Sequence, residues 1–290
     1  MDWIDRLNNA VTYMEEHLEE YEDIRMIAAA ANSSHFHFQR MFALISGITV
    51  AEYIRRRRLT LAAGDIQKGH EILETALKYG YESQASFTRA FSRMHGLTPA
   101  KAREPGARLK AYPPLTFNIS ITGAHSMDYE IREFGSFEIT GFVRPFTTVD
   151  GSNLREIPRF FEEMDKSGSI EEMNKLTGPE GKLKGSLLGV CMDFDEKTER
   201  FNFMIGVEPV GRKSHEKLES RTIPPLTWAV FPGRGKMPDS IQAVWKRIFS
   251  EWFPSMEYEH AEGPELEVYL PEPCDDGEAS FEVWIPIVKK

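Results

Sequence analysis

Residues 32–42 read NSSHFHFQRMF, and residues 82–91 read ESQASFTRAF. The triplet Phe38, Arg40, Phe42 of the first returns as Phe87, Arg89, Phe91 in the second, each time behind a polar turn. Phe38, Met41, Phe42 and Ala43 make one apolar face at helical spacing, as do Phe87, Ala90, Phe91 and Met94. His35, Phe36, Gln39 and Arg40 are then expected on the outside, matched by Gln84, Ser86 and Arg89. Arg and Gln can each make paired hydrogen bonds to base edges, so the pattern predicts two DNA-reading helices in one chain.

The flanking residues supply the rest of each unit. Residues 24–31 predict a short Ala-rich helix, Asn32 suits a left-handed turn, and Ser34 can cap the next helix by accepting a backbone N–H. Helix, tight turn and outward helix is the helix-turn-helix arrangement. A longer helix is expected over residues 48–67, carrying Arg55 to Arg58 and joining this unit to a second one. There, residues 72–79 give the first helix, Gly80 the turn, and the outward helix begins near Ser83, with Pro99 in the first turn of a short closing helix. Residues 3–20 place Ile4, Leu7, Val11, Met14 and Leu18 on one face of an amphipathic helix with an acidic exterior.

Composition bounds the alternatives. A chain of 290 residues suggests about two domains. Only Cys191 and Cys274 occur, without a Cys/His cluster, and His35 and His37 stand apart from other ligand types, so no metal site and no cofactor are expected. No stretch of about 18 apolar residues suggests a membrane span, and a cytoplasmic protein without membrane contact is expected. The net charge of −10 is unevenly spread: residues 24–110 hold 14 Lys and Arg against 6 Asp and Glu. A basic segment joined to an acidic body fits a DNA-binding module attached to something with a different partner.

With ISGITVAEYIRRRRLTLA at residues 45–62 and ALKYGYESQASFTRAFSRMHGLTPAKAR at residues 76–103, this region resembles the DNA-binding domain of the AraC/XylS family. The resemblance implies two outward helices in successive major-groove segments, about 34 Å apart. It puts the base-reading positions at His35, Phe36, Gln39 and Arg40, and at Gln84, Ala85, Ser86 and Arg89. Of the two readers the first is richer in base-reading side chains. Double-stranded DNA and RNA polymerase are the implied macromolecular partners.

Residues 104–114, EPGARLKAYPP, have the composition of a linker, and helical periodicity then gives way to β-rich runs. These runs are residues 129–132, 137–143, 186–194, 200–207, 227–231, 265–270 and 280–287, with helices over residues 153–166 and 238–253. Their order, strand, helix, strand, strand, occurs twice and predicts a duplicated unit with a pseudo-two-fold axis. Trp245, Ile248 and Trp252 lie at helical spacing and are expected in the helix-to-sheet core. The fold class is multidomain: an all-α tandem helix-turn-helix domain over residues 1–106, a linker over 107–126, and an α+β domain over 127–290.

YPPLTF at residues 112–117, ELEVYLP at 265–271 and FEVWIPI at 281–287 give this second part a resemblance to the GyrI-like effector-binding domain. That resemblance implies a small-molecule effector in a cleft, with Glu267 as the acidic residue that holds an organic cation and Tyr269, Trp284 and Trp228 as its aromatic walls. Taken alone, Glu267 is by default a solvated charge on the exposed face of a half-buried strand. The expected protein is a non-enzymatic, ligand-controlled regulator, an activator, monomeric or homodimeric. The alternatives are a GyrI-like hydrolase using Glu267 as general base, or a protein-binding module.

Overall fold

The computed structural model describes residues 3–20, 23–118, 126–148, 151–195, 200–211, 218–271 and 277–290, and the chain divides into two compact units, Met1–Ile119 and Ser120–Lys290. Cys274 lies outside the described residues.

The first unit is helical: α1 (Trp3–Glu16), α2 (Ile24–Ala30), α3 (His35–Ser46), α4 (Val50–Gln67), α5 (Ile72–Lys78), α6 (Gln84–His95) and α7 (Pro99–Ala102). The two halves are started and stopped alike. Ser34 and Ser83 cap α3 and α6 through the N–H of His37 and of Ser86. Gly47 and Gly96 end the same helices in the left-handed conformation, and Thr49 and Thr98 then cap α4 and α7. The α2–α3 turn uses Asn32 at a φ of 49°.

The four consecutive arginines of α4 are divided by the helix period into different tasks. Arg57, with 8% of its side chain exposed, donates Nε and Nη2 to the Glu15 carboxylate of α1, each at 2.8 Å, and Nη1 to the Tyr112 carbonyl. Tyr53 donates its hydroxyl to the same carboxylate at 2.6 Å. Arg58 caps the carbonyls of Leu18 and Glu20. Two of the four charges therefore brace α1 against α4.

Residues 109–117 have the composition of a free tether, yet they run as an extended strap fastened to the helices. The Lys110 N–H donates to His95 Nδ1, the Tyr112 N–H to Thr60 Oγ1, the Leu115 N–H to the Tyr53 hydroxyl, and Phe117 exchanges both backbone bonds with the Asn8 side chain. The alternation 110, 112, then 115, 117 shifts phase at Pro113–Pro114, which have no N–H to give. YPPLTF is thus part of the helical unit and not of the effector domain, because its backbone donors are already satisfied there.

The second unit contains β1 (Glu130–Phe134), β2 (Phe137–Thr147), α8 (Asn153–Lys166), α9 (Ser169–Asn174), β3 (Leu187–Asp195), β4 (Arg200–Val207), β5 (Glu219–Ile223), β6 (Leu226–Gly235), α10 (Asp239–Arg247), a π-helical turn (Ile248–Trp252), α11 (Phe253–Ser255), β7 (Tyr258–His260), β8 (Glu265–Tyr269) and β9 (Ala279–Lys289). The strands form one antiparallel sheet in the order β1-β6-β9-β8-β3-β4-β2-β5, with β7 on β9. The two halves meet where β8 pairs with β3. The spacing that carries Gly189 to Glu267 also carries Ile205 to Val283, and these are their respective partners on β4 and β9. The duplication therefore extends to register, and its axis passes between the paired Gly189 and Glu267.

The first strand of each half is exchanged: β1 pairs with β6, and β5 with β2. Only Gly135 and Ser136 separate β1 from β2, a link that reaches about 11 Å between flanking Cα atoms. In a flat sheet the same two strands would stand about 29 Å apart at the usual interstrand spacing. The sheet must curl, and the rings record it: Phe134 packs on Phe137 at 5.3 Å and on Trp284 at 5.1 Å. Ser136 donates to the Ile223 carbonyl, tying the end of β5 to the β1–β2 link. Inside the curl lies a core including Leu188, Val190, Met204, Trp228, Leu266, Val268 and Trp284.

Removing Arg57 leaves the half-buried Glu15 carboxylate without its cation and the Tyr112 carbonyl without its donor. Arg57→Met is expected to destabilise the protein by about 3 kcal/mol, read as a lowered denaturation midpoint in urea.

Candidate functional sites

In the helical unit the two helices expected to read DNA differ in how they stand. On α6, Gln84, Ala85 and Arg89 are exposed and Ser86 is half-buried, its hydroxyl donating to the Ser83 carbonyl. On α3, Arg40 is half-buried, while His35 and Gln39 are buried at 4% and 5% exposure. The expectation of an open face for these two is corrected by their helical positions. His35, Phe38 and Phe42 stand at i, i+3 and i+7, so His35 heads the buried stripe, and Gln39 sits three residues before Phe42 on its flank. Gln39 Nε2 has no hydrogen-bond partner among the described residues. The side chain of Phe36 lies outside the described residues.

In the effector unit the site forms on the sheet face turned to α8 and α10. Glu267 and Tyr269 share that face by the strand period of two. The Trp245 indole, on α10, donates to Glu267 Oε1 at 2.9 Å, and the Tyr269 hydroxyl donates to Oε2 at 2.8 Å. Phe161 of α8 meets Tyr269 edge-on at 5.6 Å and Phe203 of β4 at 5.9 Å. A Cβ on Gly189 would lie 2.9 Å from Phe203 and 3.2 Å from Glu267 Oε2, so the absence of a side chain there makes room for the carboxylate. Burial, and then the adjacent Glu267 charge, hold the Tyr269 phenol well above its ordinary pKa.

Charge pairing separates Glu267 from its neighbours Glu265 and Glu282, the other acidic groups of β8 and β9 that are not exposed. Glu265 is bonded to His260 at 3.0 Å, and Glu282 lies 3.6 Å from Arg132. Among the described residues no Lys, Arg or His pairs with Glu267, whose two donors are both neutral.

Trp228 and Trp284 do not wall this site. Trp284 is opposite Leu266 and Trp228 opposite Pro286, which places both indoles on the other face of the sheet, inside the curl, at 1% and 0% exposure respectively. There Trp284 donates to Glu282 and lies under Arg132 at 4.8 Å. One extra residue of register exchanges the faces of a strand, and counting along β9 from Glu267's partner Val283 would have excluded Trp284. Trp245, expected only as core, is buried at 2% but spends its N–H on Glu267. Nothing in its helical spacing announces this; the signal was an indole that needed an acceptor.

Comparison with known proteins follows the same division. Residues 127–288 match the GyrI-like small molecule binding domain, and residues 27–105 match a helix-turn-helix domain. The chain is 43% identical over 103 residues to PqrA of Proteus vulgaris, described as a probable transcription factor, spanning 34% of this chain and 84% of that one. The chain belongs to the AraC/XylS family of regulators, with a GyrI-like small molecule binding domain at its C-terminal side. It is also 33% identical to the regulatory protein SoxS of Escherichia coli (strain K12), over 33% of this chain and 92% of SoxS. Among solved structures, that of SAV2435 bound to tetraphenylphosphonium aligns with 56% of this chain and 94% of its own at 18% identity, with a TM-score of 0.48. By family the protein is a transcriptional regulator. No helix among the described residues is long and apolar enough to cross a membrane.

The environment of Tyr269 can be read directly. Ultraviolet difference titration of the protein beside Tyr269→Phe should assign to Tyr269 a phenol that ionises well above pH 10, distinct from the raised phenols of Tyr53, Tyr79 and Tyr81, and in Glu267→Gln that phenol should move down without becoming ordinary, since burial is the larger cause. Because folding raises this pKa, the group's contribution to stability is intact below about pH 10 and is lost as pH rises beyond it.

Proposed function

We propose that the protein regulates transcription by reading operator DNA with α3 and α6 and by binding an organic cation at Glu267. The observation that carries the effector half is the unpaired carboxylate. A half-buried charge usually finds a counter-ion within the protein. Glu267 instead has two neutral donors, which orient it and leave its charge for a ligand. Tyr269, Phe161 and Phe203 supply ring faces and edges around it, suited to a flat or bulky lipophilic cation. Trp245 and Tyr269 use one acceptor position on each oxygen and leave one on each for a ligand.

For DNA, Arg89 and Gln84 on α6 and Arg40 on α3 are the side chains best suited to base edges. Their placement favours α6 over α3 as the more accessible reader. RNA polymerase is the expected downstream partner of an activator of this design. The ligand can shift the balance between DNA-competent and incompetent conformations only by its differential affinity for the two.

A hydrolytic role for Glu267 is less well supported, because Trp245 and Tyr269 both donate to it and no nucleophile–histidine pair accompanies it among the described residues.

Titration with tetraphenylphosphonium, followed by Trp245 fluorescence, tests the effector site. Glu267→Gln should weaken binding about tenfold or more, about 1.4 kcal/mol, with Glu267→Asp in between. Unchanged affinity in the Gln variant would remove Glu267 from the site. For the DNA half, Arg40→Ala and Arg89→Ala should each cost about 1–3 kcal/mol of discrimination between operator and random duplex. Equal losses on both duplexes would reduce that arginine to a backbone contact.

A further inference from the structure

Between α4, α6 and the strap lies a pocket of about 210 Å³ that the base-reading residues do not include. Four cations face it, Arg55, Arg56, Arg93 and Lys110, against the single carboxylate of Glu52. Glu52 holds both Arg55 and Arg56, the latter through Nε at 2.5 Å. Arg56 also lies over the Tyr112 ring at 4.8 Å, so its guanidinium is fixed from two sides before any ligand arrives. Among the described residues Arg93 and Lys110 have no carboxylate partner. The surplus of positive charge is thus local, in a chain whose net charge is −10.

We infer that this pocket is a clamp for one phosphodiester group of the duplex backbone, adjacent to the groove that α6 enters. The inference rests on the DNA-reading role proposed for α6. Ser86, Arg89 and Arg93 stand at i, i+3 and i+7, so the pocket's rim continues the same helical stripe that carries the proposed base contact. A backbone flanking the groove read by Arg89 would pass over Arg93 one turn later. The pocket holds a single anionic group and not an element of secondary structure, and guanidinium forks with an ammonium match phosphate oxygens. The strap adds Lys110 and Tyr112 to this site, which gives its fastening to α4 and α6 a use: it completes the ring of cations.

The test is the salt dependence of DNA binding by the full chain, using an operator duplex obtained by selection and a random duplex of equal length. Each phosphate contact contributes about 0.9 to the slope of log K against log salt. The Arg93→Gln/Lys110→Gln double variant should lower the slope by about 1 and weaken both duplexes by the same factor. Arg56→Gln should act in the same direction, and both variants should keep the wild-type denaturation midpoint in urea to within the effect of a surface substitution. Wild-type slope and affinity in the double variant would overturn the clamp while leaving the DNA-reading role intact. A loss confined to the operator would overturn it in favour of base contact. Unchanged DNA binding with lost transcription by purified RNA polymerase would overturn it in favour of an acidic protein surface. A wild-type chain that bound neither duplex would instead remove the DNA-reading role and the clamp together.

Discussion

A carboxylate set among aromatic rings, without a cation of its own, is the constraint around which the effector domain is arranged. Two neutral donors solvate Glu267, one on each oxygen, and each comes from a different element: the Trp245 indole from α10 and the Tyr269 hydroxyl from the same strand as the carboxylate. A lysine in either place would neutralise the charge. The pseudo-symmetry contributes as well, since the position equivalent to Glu267 is Gly189, directly opposite. One half of the duplication supplies the charge and the other supplies the space.

The helical unit shows how a basic composition can mislead in detail while being right in sum. Arg57 and Arg58 are spent on Glu15 and on the carbonyls after α1, so they hold the unit together and are not available to DNA. Arg55 and Arg56 remain at the surface, shared with Glu52. The strap draws on the same network, because Tyr53 accepts from Leu115 while donating to Glu15, and Arg57 reaches the Tyr112 carbonyl. A burial pattern can be read from helical period alone; which carboxylate an arginine will find depends on an element more than forty residues away.

Local signals carried most of the fold. Asn32, Ser34, Gly80, Ser83 and Pro99 do what their backbone chemistry predicts, and the strand, helix, strand, strand order appears twice in the sheet as expected. What escaped were short or polar elements: β5, Glu219–Ile223, is a polar edge strand of five residues, and β7 has three. At the sites, the faces of Glu267 and Tyr269 followed from alternation. The indoles of Trp228 and Trp284 did not, because aromatic type says nothing about which side of a sheet a residue occupies. His35 is buried for a related reason: its i, i+3, i+7 relation to Phe38 and Phe42 decides its side of α3, and its polarity does not.

The exchange of β1 and β5 between the two halves has a consequence for the independence of those halves. A single half would carry a first strand with no partner inside itself, and a second copy would have to receive it. The effector domain therefore has the connectivity of a strand-swapped dimer written into one polypeptide. Scission between β4 and β5 would yield two complementary fragments that reassociate, each donating a strand to the other, and not two autonomous domains.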